Sequence, residues 1–225
     1  MANANYNWSD MYYSKSWEPK HNINLEGGTE NTQYYTSVGF QDQPGMYTWG
    51  NDKYQRFNVL GNVKTKVTDW ATFDFSAKYA KTKTDYPNGG VWTDRSGYWM
   101  HYIIIFPNTH RFNQDGTLAN PIEVAMRNGG RIKADNNTAQ FSLGTEIEPV
   151  KGWTTTIRYN YLLSSGLNTN DLYPVDVQCA NGNVSNIGAP QTAIFETLQL
   201  GHYAVFTAYS KYEKSFGNHN FSVMA

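Results

Sequence analysis

The sequence is short of several things, and each shortage narrows the choice. Cysteine occurs once, at Cys179, which excludes an internal disulfide and any cysteine-based metal knuckle. Charged residues make up only 16%, against roughly 25% in an average soluble domain. Neither sign prevails. The formal net charge is -1, and without a basic surplus nothing points to nucleic acid as a partner. Long apolar runs are missing too. The longest is Tyr102 to Phe106, closed by Pro107, far below the roughly 18 residues of a membrane helix. Signals for helices are poor throughout, with no Ala/Leu/Glu/Lys-rich window of period 3.6. Met1 to Tyr12 is polar and aromatic, without the basic stretch and apolar run of an export signal.

What is present is aromatic and polar without being charged. Aromatics reach 16%, with 17 Tyr, and Asn, Thr and Gly are plentiful. Mean hydropathy is -0.62, too polar for a bundle of membrane helices. A transmembrane barrel tolerates this, because half of each strand faces water.

Period-2 alternation recurs along the chain. Ile23 and Leu25 alternate with Asn22 and Asn24; Tyr34, Thr36, Val38 and Phe40 with Tyr35, Ser37, Gly39 and Gln41. Phe57, Val59, Val63 and Val67 alternate with Arg56, Asn58, Asn62, Lys64 and Lys66. Phe73, Phe75, Ala77 and Tyr79 alternate with Asp74, Ser76 and Lys78. Further sets are Phe141, Leu143 and Ile147, then Ile157, Tyr159, Tyr161 and Leu163, and finally Phe221 and Val223. Tyr203, Val205, Thr207 and Tyr209 form a less clean set, opposed by Ala204 and Phe206. The expectation is about eight strands, many near or above the roughly 9–11 residues that cross a bilayer at a tilt.

The connections alternate in length. Gly27 to Thr32, Thr68 to Trp70, Pro149 to Trp153 and Ser215 to His219 read as short turns. Asp42 to Asp52, Tyr86 to Asn137 and Gly166 to Leu200 read as long loops. Barrels of outer membranes are built this way, with short periplasmic turns and longer outer loops. The fold class expected is therefore all-β: an antiparallel transmembrane β-barrel segment, incomplete as a barrel. Trp70 and Trp153 at turns, and Trp49, Tyr54, Tyr79 and Tyr86 near the opposite strand ends, suit interfacial belts, although such aromatics also pack ordinary sandwich cores.

Candidate chemistry is sparse. His21, His101, His110, His202 and His219 show no ligand spacing, so no metal or cofactor is expected. Asp69 with Asp74, and Glu146 with Glu148, are conceivable acid/base pairs, but they adjoin short turns and read as solvated strand ends. Asp115-Gly116 between Phe112 and Leu118 reads as a small hairpin. The segment from Trp92 to Phe106 is the most informative. Trp92, Arg95, Tyr98, Trp99 and Tyr102 form a candidate contact site for a ligand or partner, since flat rings stack on sugar faces. The alternative is that a long loop buries its own aromatics to stay folded. No catalytic constellation emerges, and the chain is not expected to be an enzyme.

A family resemblance covers nearly the whole chain. Trp8 and Asp10 precede His21-Asn22-Ile23-Asn24-Leu25, then Gly27-Gly28-Thr29-Glu30, Tyr34-Tyr35, Val38-Gly39-Phe40, Asp42-Gln43 and Gly45. Lys53-Tyr54, Arg56-Phe57-Asn58, Asn62-Val63 and Val67-Thr68-Asp69-Trp70 follow. Asp115-Gly116, Glu148-Pro149-Val150-Lys151-Gly152 and Lys214 to Asn220 continue the order. Together these residues resemble the SusC/RagA-type TonB-dependent transporters of the Bacteroidetes. The resemblance implies an outer-membrane nutrient importer, chiefly of oligosaccharides, with peptide-derived cargo also in its range. It implies a SusD-like lipoprotein lid as partner, and the TonB complex, reached through an N-terminal part not seen here. It also implies that residues 1–225 are a partial barrel domain, without plug and without the remaining strands. An outer-membrane protein needs an export signal, so either the chain is an internal piece or the barrel reading is wrong. Two rivals follow from the residues alone: a soluble extracellular all-β glycan-binding module or adhesin, and a small self-closed barrel of about eight strands.

Overall fold

The computed structural model describes residues 5–88, 110–179 and 181–225. Its main feature is a single antiparallel sheet of eight strands. These are β1 (Lys20–Gly28), β2 (Thr32–Pro44), β3 (Lys53–Thr68), β4 (Ala71–Pro87), β5 (Arg131–Val150), β6 (Trp153–Leu172), β9 (Ala193–Phe216) and β10 (His219–Met224). Each pairs with its predecessor and successor in this order, and β1 and β10 are the two edges. A small hairpin, β7 (Asp176–Gln178) with β8 (Val184–Asn186), lies in the β6–β9 connection. Two helices complete the described residues: α1 (Trp8–Tyr12), before the sheet, and α2 (Pro121–Asn128), between β4 and β5.

The expected fold class holds. The four short turns lie where the alternation ends, at the same end of the sheet. They are shaped by local chemistry: Thr29 Oγ1 accepts from the backbone N–H of Thr32 at 3.1 Å in the first. Gly152 takes φ +88 in the third, a conformation that favours glycine. The three long connections share the opposite end. They are shorter than the sequence suggested, because β5 starts at Arg131, β6 runs on to Leu172 and β9 starts at Ala193. The β5 and β6 extensions are largely polar, as in Lys133, Asp135, Asn136 and Asn137, and carry no period-2 signal, whereas that of β9 holds Ile194, Phe195, Leu198 and Leu200 in a spacing that does not strictly alternate.

Helix α2 corrects the reading of poor helix signals throughout. Its start is encoded in Asn120-Pro121: the Asn120 Oδ1 accepts from the N–H groups of Ile122 and Glu123, both at 3.0 Å. Proline at the first helical position fits, because its missing N–H would have no helical partner anyway.

Register sorts the strands into two faces. Val38, Val59, Tyr79, Ala139 and Leu163 form one row across five strands, and Phe73, Thr145, Ile157 and Ala208 part of another. The opposite face carries Arg56, Lys64, Lys66, Asp74, Lys78 and Arg158, as expected. One set needed correcting: on β9 it is Ala204 and Phe206 that oppose Tyr161 and Tyr159 on the apolar face. Tyr203, Val205, Thr207 and Tyr209 lie on the polar face.

The apolar face has no layer packed on it among the described residues. Phe75 is 46% exposed, Leu143 55% and Phe206 67%. Apart from Ala71 and Ala189, the fully buried apolar side chains fall into two clusters at the long-loop end.

Candidate functional site

Those clusters make a compact cap. Trp8 and Tyr12 of α1 pack with Ile122 and Met126 of α2. Trp49, from the β2–β3 connection, meets Tyr12 edge-on at 5.0 Å between ring centroids. The chain holds α1 in place by backbone bonds, from Ser14 N to Met46 O and from Thr48 N to Tyr12 O, each 2.8 Å. Val124 and Ala125 on α2 pack against Val175 and Val177, which brings the β7–β8 hairpin in. Asn113 Nδ2 donates to Gln178 O at 2.9 Å, tying the small turn at Asp115-Gly116 to the same hairpin.

At the centre of the cap is a buried carboxylate. Glu123 is fully buried, and Arg111 grips both its oxygens, Nε to Oε2 and Nη2 to Oε1 at 2.7 Å each. Arg127, one helical turn on, donates to Oε1 at 2.9 Å. Both guanidinium groups lie over the Trp49 ring, at 5.0 and 5.6 Å. The hydrogen bonds to Glu123 push the Arg111 pKa further up. Tyr12 donates to Asn120 Oδ1 at 2.8 Å, and burial pushes its phenol up. Burial also raises the Asp52 carboxyl, more than the backbone N–H groups and Arg131 around it lower it. These are features of a small folded core that shapes the loops, and they do not assemble a catalytic group.

Three of the four candidate carboxylates are likewise engaged in structure. Asp74 pairs with Arg158 at 3.1 Å, Asp69 with Lys66 at 2.9 Å, and Glu148 Oε1 accepts from Gly152 N at 2.9 Å. Trp92, Arg95, Tyr98, Trp99 and Tyr102 lie outside the described residues. Their connection is the one that also carries Arg111 and α2. Trp49 belongs to the cap and not to an interfacial belt. Arg111, Asn120 and Glu123 were missed as a unit in the sequence. Only the Asn-Pro start and the i, i+4 spacing of Glu123 and Arg127 hinted at them.

Between cap and turns the apolar face changes character. Going up the strands, Phe73, Phe75, Ala77 and Tyr79 give way to Lys81, Lys83 and Asp85 on β4, and Leu143, Phe141 and Ala139 to Asp135, Lys133 and Arg131 on β5. This upper layer is laced by ion pairs: Lys81–Asp135 3.0 Å, Lys83–Asp135 3.6 Å, Arg131–Asp85 2.7 Å, Lys133–Asp171 3.2 Å and Lys53–Asp42 3.4 Å. Below it, the apolar positions from Trp153 to Leu163 on β6 extend about 33 Å along the strand. At a tilt near 40° that spans about 25 Å, the height of a lipid-facing band.

An open, consecutively ordered sheet with one bare apolar face, short turns at one end and folded loops at the other is a wall of a large β-barrel. The comparisons specify which kind. No protein-family model matches the chain. Over 98% of its length it is 23% identical to TonB-dependent receptor P3 of Formosa agariphila. Over 40% it is 26% identical to TonB-dependent receptor SusC of Bacteroides thetaiotaomicron. Solved structures of the RagAB peptide importer, in closed-closed and open-open states, each superpose on 99% of the chain with a TM-score of 0.76 and 16% identity. The chain is thus similar in sequence to TonB-dependent receptors of the SusC type, and its fold matches one wall of the RagAB barrel. It spans 22% of the Formosa receptor and 25% of the RagAB chain.

Proposed function

We propose that this chain forms part of the wall of an outer-membrane nutrient importer, with residues 1–225 a partial barrel domain whose plug and other strands belong to the rest of the protein. The observation that carries the reading is the bare apolar face. A soluble module would have to bury Phe73, Phe75, Leu143 and Ile157, whereas hydrocarbon requires them outward and the backbone fully paired within the sheet. The polar face, with Asn58, Asn62, Asp74 and Arg158, then borders the lumen. The unpaired edges β1 and β10 favour a larger barrel over one closed by these eight strands.

In this reading the importer draws on the TonB complex, and a SusD-like lipoprotein closes over the long-loop end. Its cargo is an oligosaccharide, for which Trp92, Arg95, Tyr98, Trp99 and Tyr102 are the proposed contact residues. A peptide cargo is the second reading, favoured by the likeness to a peptide importer over 99% of the chain. The test is growth of cells on defined glycans or peptides with the full-length transporter carrying W92A/W99A. Uptake should fall by about tenfold or more while the barrel assembles normally, the loss of two stacking contacts being worth about 1–3 kcal/mol. Unchanged uptake of every cargo would remove these residues from the site.

A further inference from the structure

Two adjoining recesses on the apolar face cross the boundary between the greasy band and the charged layer. The lower holds about 330 Å³ and is lined by Tyr79, Ala139, Leu163, Leu200 and His202. The upper holds about 320 Å³ and is lined by Lys53, Lys83, Lys133, Asp85, Asp135 and Leu167. They share β4, β5 and β6. Asn137, which accepts from the Tyr79 hydroxyl at 2.8 Å, lines the lower recess, and Asp135, two residues further up β5, lines the upper.

The charges of the upper recess are unevenly committed. Asp85 is taken by Arg131, and Asp135 is held more closely by Lys81 than by Lys83. Lys53 and Lys133 lean to Asp42 and Asp171 at the margins. The layer as a whole sets five cations against four carboxylates. The three lysine side chains that line the recess remain 45 to 55% exposed. An apolar groove leading up into a cluster of half-exposed ammonium groups matches one chemistry: acyl chains below a phosphate.

We propose that this pair of recesses is a binding site for an anionic, phosphate-bearing lipid of the surrounding leaflet. Lys53, Lys83 and Lys133 hold the phosphate, and Tyr79, Leu163 and Leu200 bed the chains beneath it. The inference rests on the lipid-facing reading of this face. It commits to a lipid because a free phosphate would have no use for the lower groove.

The test uses the full-length transporter carrying this segment, delipidated in detergent and offered equal phosphatidylglycerol and phosphatidylcholine, with bound lipid counted by native mass spectrometry. The expected result is preferential retention of phosphatidylglycerol. Each Lys→Gln change should reduce it by about fivefold, the equivalent of about 1 kcal/mol per basic residue at an anionic surface, and K53Q/K83Q/K133Q should abolish the preference. L163Q should weaken retention of both lipids. Inorganic phosphate that displaces the phospholipid would overturn the lipid assignment. Lipid retained without headgroup preference, or with the same preference in the triple variant, would overturn the site while leaving the lipid-facing reading intact. A transporter that stays in aqueous buffer and retains no lipid would end both.

Discussion

Among single residues, Arg111 carries the clearest consequence. Its two hydrogen bonds are what make a fully buried Glu123 tolerable, and Arg127 adds only a half-exposed third donor. Removing one partner of a buried pair leaves an uncompensated charge, at a cost of about 3–5 kcal/mol. Arg111→Met should therefore loosen the cap by that amount, read as faster hydrogen exchange in α1 and α2 with no change in the sheet. Exchanging both, as R111M/E123M, should recover most of it. Asp52 gives a pH dependence. Its carboxyl titrates above the ordinary range in the folded protein, so the folded state binds the proton more tightly. Its contribution is intact below the ordinary carboxylate pKa and is lost as pH rises through the raised value. Protection of residues 45–52 should fall as pH rises above the ordinary carboxylate range, and Asp52→Asn should flatten that profile. None of these residues stood out in the sequence. Burial of a charged side chain depends on what the fold brings to it, here a residue twelve positions away and an indole from a different loop.

Elements were legible where they cross the band and illegible where they leave it. Alternation marks a strand only when one side meets an apolar medium. The lower halves of β3, β4, β5 and β6 announced themselves, and Arg131 to Asn137 and Gly166 to Leu172 did not. The same physics predicts the response to charge. Phe75→Lys, at mid-band on the apolar face, should destabilise the folded barrel by about 2–4 kcal/mol. Ser76→Lys, one residue on and facing the polar side, should cost little. Denaturant titration of the full-length protein from vesicles would compare them. At the turns, Gly152 has both φ +88 and a Cβ position only 2.3 Å from the Glu213 carbonyl oxygen. Gly152→Ala should therefore exceed the ordinary glycine penalty of about 1 kcal/mol in the same titration.

At the scale of the molecule, two exposed edges define what the chain does alone. β1 and β10 leave a row of backbone groups without strand partners in the sheet, which hydrocarbon does not accept. The isolated 225 residues should give no uptake of glycan or peptide into liposomes, and such uptake would contradict the wall reading.

The strictly sequential order of the sheet also bears on how such a structure is made. Every staple joins neighbours along the polypeptide, so a growing ribbon always offers its latest member as the template for the next. Hairpins zip on one at a time without threading. Even the 43 intervening residues 88–130 add only about 3 kcal/mol of closure entropy over the two-residue link at Asp69-Trp70, so an elaborate outer connection burdens assembly little more than a tight one.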